Sequence, residues 1–260
     1  MLVRRRLRAL CVIGAVVLVA ALPGTVAHAE PVDDVACEGP ESDDSSGIFP
    51  LDGAPSKRSA RDHGGWAPTK WPTGIPNAGD ARQMLYGLTV KDKTAVKYRR
   101  EEFRVNGSSN CWISQGPDCC PTREIVLRAQ STVPVTLKGK CKVEKGRWTS
   151  EYDDVESDKR GEIDIDHIVP LKAAWDSGAS NWDVAKREKF ANDISPNTPQ
   201  LIAVSRRSNR QKGDSGPDEW LPNDTAKCPY SEAWVAVKSK YGLSVTRDEK
   251  STLTSTLRHC

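Results

Sequence analysis

Residues 162–170 read EIDIDHIVP, and this stretch decides the fold. Polar and apolar side chains alternate from Glu162 to Asp166, and a period of two predicts a strand with one buried face. Pro170 lacks a backbone N–H and cannot continue a strand ladder, so the strand ends before it. Strict alternation would send the side chains of Asp166 and His167 to opposite faces. We therefore expect the strand to end or twist at this pair.

A second strand is predicted at residues 200–204 (QLIAV), where apolar residues follow one another. Ser205 comes directly after it and can cap a helix that runs through Asn209. Residues 182–194 have the composition of a helix and lie between the two strands. The pattern is therefore strand, insertion, strand, helix.

The rest of the chain supplies shorter elements around this unit. A helix is predicted at residues 80–88, and short β segments at 124–128, 133–137 and 141–143, with 146–148 continuing a hairpin. At the C-terminal end, a helix over 231–241 closes at Gly242, and Thr246-x-x-Glu249 is a capping box that opens a last helix. The sequence predicts the α+β class, with short N-terminal β segments and two C-terminal helices.

The first 75 residues differ in composition from the remainder. Residues 1–29 combine an arginine-rich start, an apolar stretch and the A-x-A site AHA at 27–29, which is typical of a signal peptide. Residues 30–75 are acidic and rich in Asp, Ser, Gly and Pro, which predicts a flexible tail or linker. Residues 76–260 form the predicted domain. We expect a secreted, extracellular protein with no membrane association after signal cleavage, exported by the general or the twin-arginine route.

The formal charge of +3 belongs mostly to the leader. Its four arginines have no balancing anion, so the mature chain has a formal charge of −1. Binding of nucleic acid therefore has to rest on a local basic patch and not on overall charge.

Seven of the eight cysteines lie in the mature chain, and an oxidising destination favours disulfides. No C-x-x-C pair stands near another, so a structural zinc site is not expected. We predict the pairs Cys228–Cys260 and Cys120–Cys141. A third pair, Cys111–Cys119, is an open alternative that leaves Cys37 over.

Two segments carry residue types suited to catalysis. At Asp166–His167, an imidazole that titrates near neutral pH stands beside a carboxylate able to bind a hard cation, although a surface ion pair is the alternative. Downstream, Asn209 can offer an amide oxygen to the same cation. It lies in a basic turn whose cations suit contacts with phosphate: Arg206, Arg207, Arg210 and Lys212.

Together the segments resemble the HNH endonucleases, also called ββα-metal or His-Me finger nucleases, whose signature is Asp-His-x-x-Pro followed by Asn-x-x-Lys-Gly. The similarity extends to secreted bacterial proteins related to the C-terminal domain of GmrSD-type restriction enzymes. The matching stretches are residues 164–171 (DIDHIVPL), 174–179 (AWDSGA), 190–193 (FAND), 199–204 (PQLIAV), 208–214 (SNRQKGD) and 219–222 (EWLP). The resemblance covers roughly residues 80–260.

This resemblance implies a ββα-metal core with a helical insertion. It implies that His167 is the general base for water and that Asp166 and Asn209 bind one divalent cation, Mg²⁺ or Mn²⁺. The middle Asn of the motif is Asn197 or Asn192. The expected activity is cleavage of DNA, with RNA as an open alternative, at low sequence specificity by a monomer.

Two other functions remain to be weighed. A noncatalytic nucleic-acid-binding protein on the same scaffold would not need Asp166, His167 and Asn209 together. A hydrolase with a Ser nucleophile would need a G-x-S-x-G turn, which the sequence lacks. Arg123 suits either a contact with DNA or a structural salt bridge.

Overall fold

Short strands and helices alternate along the part of the chain that the computed structural model describes, residues 71–104 and 112–260. The helices there are α1 (Ala78–Gly87), α2 (Thr122–Gln130), α3 (Leu171–Asp176), α4 (Val184–Ala191), α5 (Arg206–Lys212), α6 (Lys227–Tyr241) and α7 (Arg247–Arg258). The strands are β1 (Ser114–Gln115), β2 (Cys120–Pro121), β3 (Thr136–Lys138), β4 (Lys142–Lys145), β5 (Trp148–Thr149), β6 (Glu156–Ser157), β7 (Ile163–His167) and β8 (Leu201–Ser205). This is the predicted α+β class.

The unit that positions the candidate site is the antiparallel pair β7–β8 followed by α5. Asp166 lies opposite Ile202, and His167 lies opposite Leu201. Ser205 ends β8 and caps α5 as predicted, because its hydroxyl accepts a hydrogen bond from the backbone N–H of Ser208 at 3.1 Å. The helical insertion between the strands contains α3 and α4.

The β7–β8 pair is buried on both faces. On one face, Ile165 and Leu201 pack against α2 in a small cluster that also contains Trp148. On the other face, Ile202 belongs to the main core, which the helices of the insertion and of the C-terminal end share. Two-sided burial explains why residues 201–204 of β8 are all apolar and do not alternate with polar ones.

The predicted β segment at residues 124–128 is wrong, because these residues form the middle of α2. Val126 and Leu127 are buried against the β7–β8 pair. The side chain of Gln130 donates to the carbonyl oxygen of Leu201 at 3.0 Å and accepts from the backbone N–H of Ala203 at 2.7 Å. These residues form a helix because they pack on β7 and β8, which are distant in the chain. A local sequence pattern does not report such contacts.

The other predicted β segments are present with altered limits. β3 begins three residues later than predicted and pairs with β4. Trp148 lies in β5, which pairs with β6 instead of extending the preceding hairpin. The disulfide Cys120–Cys141 joins the start of α2 to the β3–β4 turn and is one of the two predicted pairs.

The C-terminal helices agree with the sequence, except that α6 begins at Lys227, four residues before the predicted start. Gly242 adopts the left-handed conformation that closes α6, and the capping box of α7 is formed by both partners, Thr246 and Glu249. The second predicted disulfide, Cys228–Cys260, links the two helices.

Trp71 and Ile75, which precede the predicted domain boundary at residue 76, pack against the main core. The predicted signal peptide lies outside the described residues, as do Cys37 and Cys111. Cys119 is itself disulfide-bonded. None of the helices in the described ranges has the length and apolar character needed to cross a membrane.

Candidate active site

The two residues of the Asp-His pair leave β7 on opposite faces. The strand ends at His167, within the pair, but His167 still pairs with Leu201 and the alternation of faces is kept up to that point. Asp166 faces α5 together with Asp164, and His167 faces the side of α2. The neighbours in sequence therefore have different surroundings.

The ring of His167 is held from two sides. Its Nε2 lies 2.8 Å from the carbonyl oxygen of Ala191. The ring also stacks on Trp112, with centroids 5.6 Å apart and an angle of 9° between the planes. Because a carbonyl oxygen only accepts hydrogen bonds, the ring proton is assigned to Nε2. Nδ1 then carries the lone pair that can accept a proton.

Charge and burial keep His167 neutral. The pKa of His167 is lowered from 6.5 to about 3, mainly by burial; the hydrogen bond to Ala191 opposes this change, and the positive charges of Arg100 and Lys212 contribute to it. The imidazole is therefore unprotonated at neutral pH.

Asn192 holds the turn that carries the Ala191 carbonyl. Its side-chain oxygen accepts from the backbone N–H of Ile113 at 3.2 Å and from the hydroxyl of Thr122 at 2.8 Å. Its amide group donates to the carbonyl oxygen of Glu188 at 3.2 Å. Asn192 is buried, whereas Asn197, the rival for the middle Asn, is exposed.

The carboxylate of Asp166 is enclosed by protein donors. The hydroxyl of Tyr152 donates to Oδ2 at 2.7 Å, and the ammonium of Lys212 lies 3.0 Å from Oδ1 and 2.8 Å from Oδ2. Lys212 also donates to the backbone oxygen of His167 at 2.9 Å. Burial raises the pKa of Asp166 and lowers that of Lys212. In this arrangement Asp166 is not open to a metal ion.

Lys212 was predicted to contact phosphate, and the structure contradicts this. Its side chain is fully buried, and its ammonium group forms an ion pair with the carboxylate of Asp166. Arg206, Arg207 and Arg210 are exposed and form the basic surface of α5. The predicted cationic patch therefore has three members rather than four.

Asn209 contacts Asp164 instead of Asp166. The amide group of Asn209 lies 3.1 Å from Oδ2 of Asp164, and Arg206 Nε is 3.9 Å from the other carboxylate oxygen. The amide nitrogen and oxygen of an Asn side chain can exchange places by rotation. Two oxygens on adjacent octahedral positions of Mg²⁺ are about 3 Å apart, given bonds of about 2.1 Å. Asp164 and Asn209 therefore fit such an ion, whereas Asp166 does not.

Across the described ranges, no three His, Cys, Asp or Glu side chains come together as a metal-binding group. The candidate set depends on an amide oxygen, and solvent would have to supply further ligands, as is usual for Mg²⁺.

Arg123 has the structural role that was one of its two predicted alternatives. Its guanidinium donates to the carbonyl oxygen of Ile163 at 2.9 Å, next to an ion pair between Glu124 and Arg160. Sequence reasoning missed Tyr152, Trp112 and Arg100, which come from segments far from the motif. Only their positions in space relate them to the site.

Fold and site together define the class: an α+β domain built on a ββα unit, with a His on the first strand and an Asn on the helix. The chain belongs to the family described as GmrSD restriction endonucleases, C-terminal domain, which matches residues 122–256. It is also similar to an uncharacterized secreted protein of Arthroderma benhamiae, with 44% identity over 196 residues, 75% of this chain and 91% of the relative. No solved structure matches the chain significantly.

Proposed function

We propose that the protein is an exported endonuclease that hydrolyses phosphodiester bonds in DNA, with His167 as the general base. The observation that carries the proposal is the fixed ring of His167, whose Nε2 is bonded to the Ala191 carbonyl and whose Nδ1 is left as a proton acceptor. The family supports nuclease activity in general, and the secreted relative together with the signal-like leader supports export.

The proton transfer follows from this geometry. Nδ1 of His167 takes a proton from a water molecule while that water attacks phosphorus, and the ring becomes an imidazolium. The Ala191 carbonyl keeps its hydrogen bond throughout and stabilises the new charge. The bond to the departing oxygen of the strand breaks as the new P–O bond forms.

Substrate binding is assigned to the cations of α5. Arg206, Arg207 and Arg210 are exposed side by side and suit contacts with backbone phosphates, which carry no base sequence. The described residues contain no separate recognition module beside the domain, so cleavage with low sequence specificity is expected.

A hard divalent cation, Mg²⁺ or Mn²⁺, completes the proposal. Asp164 and Asn209 would hold it, in place of the predicted pair Asp166 and Asn209. When bound, it neutralises negative charge on phosphate. Binding of Mn²⁺ measured by electron paramagnetic resonance should weaken at least about tenfold in Asp164→Asn, and equal affinity in this variant would reject the assignment.

Plasmid nicking tests the activity itself. The mature protein with intact disulfides is incubated with supercoiled DNA and Mg²⁺, Mn²⁺ or EDTA. We expect metal-dependent nicking that is lost in His167→Ala and retained in His259→Ala, a matched change at an exposed histidine. Nicking that survives in His167→Ala would reject the general base.

The second candidate is a noncatalytic nucleic-acid-binding protein on the same scaffold. The burial of Asp166 by Lys212 favours it, because the acidic group beside the histidine is already neutralised. Folded protein that binds DNA and RNA but cleaves neither in any metal would support this function over the enzyme.

A further inference from the structure

A groove of about 650 Å³ opens on the α2 side of the β7–β8 pair, the same side as the His167 ring. Its apolar walls come from three separate parts of the chain. They include Trp71 at the start of the described chain, Ile125 and Ala129 of α2, and Ile194 and Leu201 around the start of β8. The volume lies in the range typical of small-ligand sites.

The groove is lined by residues that neighbour the candidate active site. Leu201, in its floor, is the residue that pairs with His167. Ile194, in its wall, follows Ala191 by three residues, and the Ala191 carbonyl is the one that holds the imidazole. The His167 side chain therefore has a groove residue, Leu201, as its cross-strand neighbour on the same face of the β7–β8 pair.

The wall formed by Trp71 is fixed in place. Gly74 has φ +90°, and a Cβ built there would lie 2.6 Å from the backbone carbon of Asn197. The segment that carries Trp71 is thus pressed onto the turn before β8, as only glycine allows at this position. The indole is held by packing on the main core.

Four polar side chains of the groove are already bonded within the protein: Gln130, Asp193, Ser195 and Thr198. Gln130 uses both ends of its amide on the backbone of β8. Asp193 accepts from Ser195, from Lys240 at 2.9 Å and from the hydroxyl of Tyr241 at 2.7 Å. The groove therefore offers apolar and aromatic surface, with these hydrogen-bonding groups committed elsewhere.

We propose that this groove is the subsite for one unpaired nucleobase of the substrate strand, next to the phosphate that is cut. The inference rests on the proposed function, because it takes the strand to lie at His167. Contact with Trp71 and the apolar walls would favour any base, since every base has an aromatic face. A base within a duplex would have to leave its partner to enter. Single strands should therefore bind more tightly than duplexes, with little sequence preference.

The test measures binding of labelled oligonucleotides by fluorescence anisotropy, without added metal, so that catalysis is not required. Ala129→Trp places a large ring in the groove from an exposed position on α2, and Ala185→Trp makes the same change at an exposed position on α4. We expect about tenfold weaker binding of single-stranded DNA in Ala129→Trp, unchanged binding in Ala185→Trp, and little change for duplex DNA in either. Thermal unfolding confirms that both variants are folded.

A set of strands, each with a single abasic position, locates the subsite. An abasic site at one position should weaken binding of the strand to the normal protein. For that strand, Ala129→Trp should cause no further loss of affinity. Trp71→Phe should keep more affinity than Trp71→Ala.

Unchanged single-strand affinity in Ala129→Trp, or equal losses for duplex and single strand, would overturn the subsite. Such a result would leave nicking by the normal protein unaffected. If the expected binding pattern is seen without any nicking, the nuclease function is rejected and the base-binding groove is retained.

Discussion

Asp166 and His167 are adjacent in the chain, yet the alternation of β7 gives them different tasks. Asp166 is enclosed by Tyr152 and Lys212, and its carboxylate neutralises a buried cation. His167 sits on the other face with one nitrogen bonded and one available. The Asp166–His167 motif, predicted to act as one catalytic unit, therefore consists of a structural residue and a candidate general base.

Replacing Asp166 with Asn should destabilise the fold by about 3 kcal/mol, because it leaves the ammonium of Lys212 buried without a charged partner. Urea unfolding of the mature protein measures this. Asp158→Asn, at an exposed aspartate, is the matched control and should change the stability little. A loss below 1 kcal/mol in Asp166→Asn would indicate that the Lys212 side chain leaves the interior.

The low pKa of His167 predicts a dependence of stability on pH. The unfolded chain protonates this residue near pH 6.5, but the folded protein does so only near pH 3, so acid favours unfolding between these values. The full contribution of neutral His167 to the free energy of unfolding is present above pH 6.5. From pH 6.5 to 5 it should fall by at most about 2 kcal/mol. In His167→Gln, this part of the decrease in the free energy of unfolding should vanish. An unchanged slope of that free energy against pH would contradict the lowered pKa.

At the scale of elements, the site is assembled by α2 and by the turn after α4. The hydroxyl of Thr122, at the start of α2, contacts Asn192, and Gln130 at its end clamps β8. Asn192 in turn fixes the carbonyl of Ala191. The proposed general base is therefore oriented by elements that the local motif does not contain.

Asn192→Ala should lower kcat about tenfold or more with a small change in KM, because the carbonyl that orients His167 loses its support. Asn197→Ala is the matched control at an exposed asparagine and should behave like the normal protein. Nicking kinetics on plasmid DNA measure both variants. Equal activities would remove Asn192 from the site, and a loss in Asn197→Ala would restore the rival position.

At the scale of the whole molecule, a cluster of three exposed arginines lies on the helix that ends the ββα unit. Arg206, Arg207 and Arg210 are exposed on one short helix, although the mature chain is slightly acidic overall. A local patch of this kind directs nucleic acid to one surface without strong attraction elsewhere.

Arg207→Gln and Arg210→Gln should each weaken DNA binding and reduce the slope of log Kd against log salt by about one unit, since each removes one phosphate contact. Arg258→Gln, on the exposed side of α7, is the control and should leave the slope unchanged. The measurement is a salt titration of binding to a short duplex. An unchanged slope in both α5 variants would place the DNA on another surface.

Elements with local signals could be predicted from the sequence alone. The alternation at residues 162–166 indicated β7, the capping residues Ser205 and Thr246 marked two helix starts, and Gly242 marked a helix end. The sequence also indicated the disulfides Cys120–Cys141 and Cys228–Cys260. The strand and cap signals depend on residues close together in the chain.

Only the tertiary structure decided which side chains remain free to act. Lys212 carries the same charge as its exposed neighbours on α5, but the helix turns it inward to Asp166. Residues 124–128 became helical because α2 packs across β7–β8. The choice between Asn192 and Asn197 depends on contacts with residues 70 or more positions away. Burial and contacts with residues distant in the chain set the chemistry of a side chain. A local pattern of residue types and spacings does not contain this information.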